Sequence, residues 1–132
     1  MYTYFSTVTV CMLAHERAGS AEGALESAAI ILEADRPEGG TGDTKAHSLA
    51  HACRGRILAA QDKADEAEAA FESSAAVAAT YGHDFLVAIA LRDLCKDVLV
   101  GAGRGEQGKK RLEEAVSGLA CSAEGLDRVV FP

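Results

Sequence analysis

Apolar and small side chains recur every three or four residues through most of the 132-residue chain, which is the spacing of one face of an α-helix. The clearest stretch, residues 47–81, predicts two amphipathic helices. Their stripes are Leu49, Ala50, Cys53, Ile57 and Ala60, then Ala64, Ala67, Phe71, Ala75 and Ala78. The polar residues 62–66 interrupt the pattern between them and place acids in the first turn of the second helix, where the helix dipole favours negative charge.

The same spacing predicts four more helices, two on each side of this central pair. Residues 1–18 contain many strand-forming side chains, but their apolar positions keep helical spacing, so we predict a helix there. Residues 21–35, 85–100 and 106–119 complete the set. Breaks rich in glycine separate the pairs, with residues 36–43 as the longest loop, Gly82 as a helix C-cap, and Asp43 or Thr44 as the next N-cap.

The chain also repeats itself with a period of about 42 residues. Cys11, Cys53 and Cys95 are each 42 residues apart. A disulfide framework does not normally repeat in this way, so we interpret these cysteines as small buried residues at one recurring position of three first helices. The period predicts a single domain over residues 1–132. Its hairpins fall at about 2–35, 44–80 and 84–119, with a C-terminal tail at 120–132.

The central pair resembles a tetratricopeptide repeat, a helix–turn–helix unit with a small residue on its first helix and an Ala-x3-aromatic pair on its second. Gly55 supplies the small residue, which we expect to face a closely packed helix, and Ala67 and Phe71 supply the pair. The other two hairpins have Ala28 and Leu112 in place of Phe71, and the early Trp and closing Pro of the family's pattern do not occur. The period resembles the family's long-helix variants.

This resemblance implies an all-α fold of three stacked antiparallel helical hairpins whose first helices line a concave surface. It implies protein–protein binding by a scaffold module, with no catalysis. We also predict that the chain holds no cofactor and no metal. The candidate binding residues are the side chains of the first helices that lie outside the apolar stripes, namely His51, Arg54, Arg56, Arg92, Asp93 and Lys96. The equally weighted alternative is that they are ordinary solvated charges without a specific task.

Composition argues against several classes of fold and function. The abundance of alanine and the low aromatic content, 5% with no Trp, suit close-packed helices rather than a β-sandwich. A net charge of −7 argues against a nucleic-acid partner, which needs a basic face. No apolar run reaches membrane-spanning length. Scattered cysteines without a secretory signal favour a reducing intracellular compartment, either the cytoplasm or the interior of an organelle.

Both ends of the sequence are apolar, with Tyr2, Tyr4, Phe5 and Val8 at one end and residues 129–131 at the other. Stacked repeats need terminal helices with polar outer faces. We therefore expect another subunit or further repeats to cover these ends. Two forms of the binding function follow, a free adaptor with a peptide groove and a structural subunit of a larger assembly.

One motif supports an alternative function, nucleotide binding. Gly103, Gly105 and Gly108 match a dinucleotide-binding fingerprint and follow an apolar segment, residues 98–100. The context is unfavourable, because that segment ends a predicted helix and only 24 residues follow Gly108, too few for the rest of the fold. The spacing of His47 and His51, and of Cys11 and His15, permits metal ligation on a helix face, but packed or partly exposed side chains explain these pairs better.

Overall fold

The computed structural model describes residues 2–34 and 43–117, and for residues 2–6 and 34 the backbone alone. Every regular element in these ranges is helical, and none is a strand. The elements are α1 (Tyr2–Arg17), α2 (Ala21–Ala34), α3 (Thr44–Ala60), α4 (Ala64–Thr80), α5 (Asp84–Leu94), a π-helical segment (Cys95–Leu99) and α6 (Gly105–Val116). The all-α prediction is confirmed, and so is the choice of helix over strand for the first segment.

Local signals explain several helix ends. The carboxylate of Asp43 accepts a hydrogen bond from the backbone N–H of Ala46 at 3.0 Å, so Asp43 is the N-cap of α3, as predicted. Tyr81 is the C-cap of α4, and Gly82, the next residue, adopts a φ of +75°, so the predicted glycine lies one residue beyond the cap. The predicted tail at 120–132 and most of the loop at 36–43 lie outside the described residues.

Consecutive helices pack against one another, and α3 lies at the centre, in contact with α1, α2, α4 and α5. Buried side chains form two clusters. The first lies among α1, α2 and α3 and includes Met12, Ala28, Ile31, Cys53 and Ile57. The second lies among α4, α5, the π-helical segment and α6 and includes Phe71, Ile89, Leu94, Leu99 and Leu112. Most residues of the predicted stripes are buried or half-buried, but Ala60 and Ala64 are exposed, and Leu58 of α3, outside the stripe, is buried in the second cluster.

Gly55 lets α3 and α4 approach closely. A Cβ atom at this position would lie 2.8 Å from the ring of Phe71, which is fully buried. Two serines join the same helices. Ser48 Oγ donates to the carbonyl of Ser74 at 3.1 Å, and Ser74 Oγ donates to the carbonyl of Ser48 at 2.8 Å. The prediction that Gly55 faces a closely packed helix is confirmed.

The three repeating cysteines do not share one environment. Cys53 is buried and Cys95 is partly buried, but Cys11 is exposed, so the prediction of three buried cysteines is wrong for Cys11. The side of α3 that carries Cys53 packs on the two preceding helices, whereas α1 is the first described helix. Met12, the next residue, is fully buried instead. Burial, followed by the charge of Glu16, raises the pKa of the Cys53 thiol to about 12.

The fifth predicted helix differs most from expectation. Residues 85–100 form α5 followed by one π-helical turn, and all seven residues from 88 to 94 are buried. Periodicity placed Arg92 and Asp93 on a solvated side, yet they are only 5% and 6% exposed. The reason is that α5 packs against α3, α4 and α6, so a single helical stripe does not describe its buried surface.

Candidate functional site

The six residues predicted to bind a partner lie in three different settings. Arg56, Arg92 and Asp93 belong to a buried ion network among first helices. His51 and Arg54 line hollows shared with α4, on another side of α3. Lys96 is exposed in the π-helical segment. The structure therefore does not bring the six together on one surface.

Arg56 is the centre of the ion network. Its Nε and Nη2 donate to the two carboxylate oxygens of Glu16 at 2.6 and 2.8 Å. Its Nη1 donates to Asp93 Oδ2 at 3.0 Å, and Arg92 Nε donates to Asp93 Oδ1 at 3.0 Å. Because Glu16 lies on α1 and Asp93 on α5, one guanidinium of α3 links three first helices.

This network is poorly accessible to a partner. The side chains of Arg56 and Glu16 are 13% and 15% exposed, and that of Asp93 is 8% exposed. Burial alone would lower the pKa of Arg56, but hydrogen bonding and attraction to Glu16, with attraction to Asp93, raise it above its ordinary value. Arg56 is therefore a charged, bonded group that holds helices together.

A hollow of about 260 Å³ lies beside the network, where α1, the start of α2 and the end of α3 meet. Its lining is mostly apolar, with Ala21, Ile57 and Ala60 next to the charged Glu16 and Arg56. The carboxylate and the guanidinium are already bonded to each other, so this hollow offers mainly apolar contact.

A larger hollow of about 430 Å³ lies where α3 and α5 begin. Leu49, Phe85 and Leu86 supply its apolar surface, and Phe85 is 40% exposed. Lys45 and Asp84 add one charge of each sign. We call this region the α3–α5 hollow; it can accept an apolar side chain flanked by polar groups.

The sequence assigned Leu49 to an apolar stripe and placed Phe85 at the start of a predicted helix, so it did not indicate this hollow. Both residues lie near the start of a helix, beside the charged Lys45 and Asp84. Apolar residues near a helix start are covered only as far as the neighbouring helix extends. Thr44 Oγ1 and His83 Nε2, 2.6 Å apart, join the two helix starts at this place.

A shallow groove between α3 and α4 contains the two other predicted residues. His51 lines both of its hollows, of about 440 and 230 Å³, and Arg54 lines the smaller one with Glu66. The rings of His47 and His51 meet edge to face with centroids 5.1 Å apart. Burial, then the charges of His47 and Arg54, lowers the pKa of His51 to about 4, so its ring is neutral at neutral pH.

The pairs with metal-ligand spacing have other contacts. His47 and His51 pack on each other, and the ring of His15 packs over Gly23 of α2. Within residues 2–34 and 43–117, no group of three His, Cys, Asp or Glu side chains is arranged to hold a metal ion.

The three glycines of the nucleotide-binding motif lie in and after a turn between helices. Gly103 adopts a φ of +75° in that turn. A Cβ atom at Gly108 would lie 2.7 Å from Leu99 Cδ1 and 2.9 Å from Cys95 Sγ, so this glycine lets α6 pack on the π-helical segment. The apolar residues before the motif are helical. Packing accounts for these glycines without a bound phosphate, and nucleotide binding stays a prediction.

No family model matches the chain, and no curated protein or solved structure is similar enough to it to indicate a relationship. None of the helices within the described ranges combines the length and the hydrophobicity needed to cross a membrane. The geometry of the chain itself is thus the basis for a functional proposal.

Proposed function

We propose that this chain is a non-catalytic protein-binding module, built as three stacked helical hairpins of the tetratricopeptide type. The observation that carries the proposal is a difference in helix spacing. The backbones of α1 and α3 pack closely, as do those of α3 and α5. In the described part of the chain, no comparably close packing joins α2 to α4 or α4 to α6. In a curved stack the inner helices lie closer together than the outer ones, which makes the first helices the concave side.

The contacts of the second helices agree with this curvature. Long side chains bridge α4 to the third hairpin. The guanidinium of Arg104 donates to both carboxylate oxygens of Glu68 at 3.0 and 2.9 Å, and Arg111 donates to Glu72 at 2.7 Å. These ion pairs join α4 to the third hairpin through side chains, although the backbones of α4 and α6 do not pack closely.

The repeat register gives separate support. Ala28, Phe71 and Leu112 occupy the same sequence position in three successive second helices. All three are buried, with exposed fractions between 0 and 8%. A recurring buried position on alternate helices is what stacked hairpins require, because each hairpin buries its apolar face on its neighbours.

The α3–α5 hollow is the part of the first-helix side that is best suited to a partner. Leu49, Phe85 and Leu86 are apolar and partly exposed there, between Lys45 and Asp84. Concave apolar surfaces with a few polar groups are the usual binding sites of proteins. We therefore propose that this hollow binds the partner, whereas the network around Arg56 joins the first helices to one another.

Site-specific photo-crosslinking in cells that express the chain tests the proposal. A photoreactive amino acid replaces Phe85 in one variant and Glu72, an exposed residue of α4, in a control. We expect a discrete crosslinked protein from position 85 and none of that mass from position 72. Adding Leu49→Asp should reduce the yield from position 85 severalfold with helicity unchanged. Equal products from both positions, or no product from position 85, would contradict the proposal.

A further inference from the structure

One side of α1 is exposed and carries no charge before Arg17, the last residue of the helix. Its exposed side chains up to that point are Thr7, Val10, Cys11 and Ala14, and Val10 is 65% exposed. The sequence from residue 2 to residue 14 contains no Asp, Glu, Lys or Arg. We call the surface made by these four side chains the α1 outer face.

The corresponding side of the next first helix is a packing surface. Cys53 lies 42 residues after Cys11 and is fully buried in the cluster that includes Met12, Ala28 and Ile31, where α3 packs on α1 and α2. The α1 outer face therefore corresponds, on the first described helix, to a surface that is a buried helix–helix interface on α3. Its small and apolar side chains, without charge, are typical of a surface that packs on another helix.

The opposite end of the described helices has a different character. Helix α6 directs Leu112 and Val116 inward. Its exposed residues are all polar or charged, namely Glu106, Gln107, Lys109, Lys110, Glu113 and Glu114. Packing this end on the α1 outer face of another copy would remove several charges from water without partners, which is unfavourable. A head-to-tail contact between copies is thus disfavoured.

We propose that the α1 outer face binds the same face of a second copy of this chain, in a two-fold symmetric dimer with antiparallel α1 helices. Two-fold symmetry places a surface against itself, so a face without charge meets no like-charge repulsion. The neighbouring α2, with Glu22, Glu26 and Glu33 exposed, could not pair with itself in this way. Antiparallel α1 helices also place opposite helix dipoles side by side.

The expected dimer is of modest affinity. Helix α1 has 16 residues and is about 24 Å long. One helix face on each copy buries an area at or below the lower end of specific interfaces, about 1,200 Å² in total. Its population should therefore rise with protein concentration. The inference rests on the stacked-hairpin arrangement proposed above, but not on the α3–α5 hollow.

Light scattering after gel filtration, over a concentration series of the full chain, tests the dimer. We expect the mass to rise toward twice the 13.7 kDa of one chain. Val10→Glu should hold the mass at one chain at every concentration, whereas Val100→Glu, at a residue that is 60% exposed after α5, should leave the dimer intact. If Val10→Glu loses helicity, Ala14→Glu replaces it as the test. Ala14 is a second exposed position of the face, and its variant should also hold the mass at one chain.

A bismaleimide crosslinker of short span supplies an independent readout. It should join two chains through Cys11, and Cys11→Ser should abolish that product. A monomeric mass at all concentrations, a mass beyond the dimer, or a dimer that survives Val10→Glu with its helicity intact would each overturn the proposal. Photo-crosslinking from position 85 separates the two proposals, because it reports the hollow whether or not α1 pairs.

Discussion

The first helices and the second helices use their charges in different ways. On the first-helix side, Arg56 is mostly buried and bonded to carboxylates of two other helices. Around α4 and α6, Arg111 and Glu72 pair with side chains that are 41% and 45% exposed. Both sets are ion pairs between helices distant in sequence, but water reaches only the second set freely.

This difference predicts unequal energetic roles. A buried charge that loses its partner keeps its desolvation cost, whereas an exposed charge regains water. The closely packed first helices should therefore depend on their ion network, and the more widely spaced second helices should depend little on theirs. Arg56→Met and Arg111→Ala test this contrast, and Gly55→Ala and His51→Gln test the contact and the groove between α3 and α4.

Replacing Arg56 by Met should destabilise the chain by about 3–5 kcal/mol, because Glu16 would remain partly buried without its counter-charge and Asp93 would keep only Arg92. Urea unfolding followed by circular dichroism measures the change. The double variant Glu16→Gln, Arg56→Met should recover a large part of the loss, since it neutralises the carboxylate that loses its partner and keeps the Arg92–Asp93 pair. A loss below about 1 kcal/mol for Arg56→Met would mean that the network is no more important than a surface pair.

Gly55→Ala tests the close contact between α3 and α4. The added methyl group would meet the buried Phe71 ring at 2.8 Å, which should outweigh the better helix propensity of Ala and cost about 1–2 kcal/mol. Gly101→Ala is the matched control, because its Cβ would meet only the Val98 carbonyl oxygen at 3.7 Å. Thermal unfolding measures the melting temperature of both variants. Equal melting temperatures would contradict the close approach of α3 and α4.

Much of the fold could be predicted from the sequence because its signals are local. The spacing of apolar residues placed the described helices, the side chain of Asp43 marked the start of α3, and the pattern of Gly55 with Phe71 identified a close helix contact. Each of these depends on one helix or on a pair of adjacent helices.

The environments of Arg92, Asp93 and Cys11 depend on helices that are distant in sequence. Periodicity assumes one buried side for each helix, so it placed Arg92 and Asp93 in solvent although α5 has neighbours on several sides. The repeat register treated Cys11 as equivalent to Cys53, but within the described residues no helix precedes α1 to pack on the side that carries Cys11. For the same reason the α3–α5 hollow could not be predicted, since it depends on how far neighbouring helices cover Leu49 and Phe85.

The groove between α3 and α4 adds a prediction for pH. The pKa of His51 is about 4 in the fold against an ordinary value of 6.5, so between these values the unfolded chain binds a proton that the folded chain excludes. Stability should fall as pH falls through this window, and His51 is not protonated in either state at higher pH. Allowing for its partial exposure, we expect a contribution of roughly 1–2 kcal/mol between pH 7 and pH 4.

Comparison with His51→Gln isolates this contribution, because other groups also titrate in the window. The wild-type chain should lose more stability than the variant when urea unfolding is repeated at pH 7, 6 and 5. Parallel pH profiles for the two proteins would show that the imidazole remains accessible to protons in the fold, and the groove would then be an open surface like the one around Glu72.

The smallest effect is expected at the exposed pair. Arg111→Ala removes the bond to Glu72 but leaves that carboxylate free to hydrate. The loss of stability should therefore be about 0–1 kcal/mol. It should be smaller still in 1 M salt, where the Debye length is about 3 Å. Urea unfolding at low and high salt measures both features. Arg56→Met under the same conditions should keep most of its effect in high salt, since its partners are shielded from ions. A large, salt-insensitive loss at Arg111 would instead show that the second helices rely on their ion pairs as the first helices do, and the proposed difference in spacing between the two sides would no longer explain the fold.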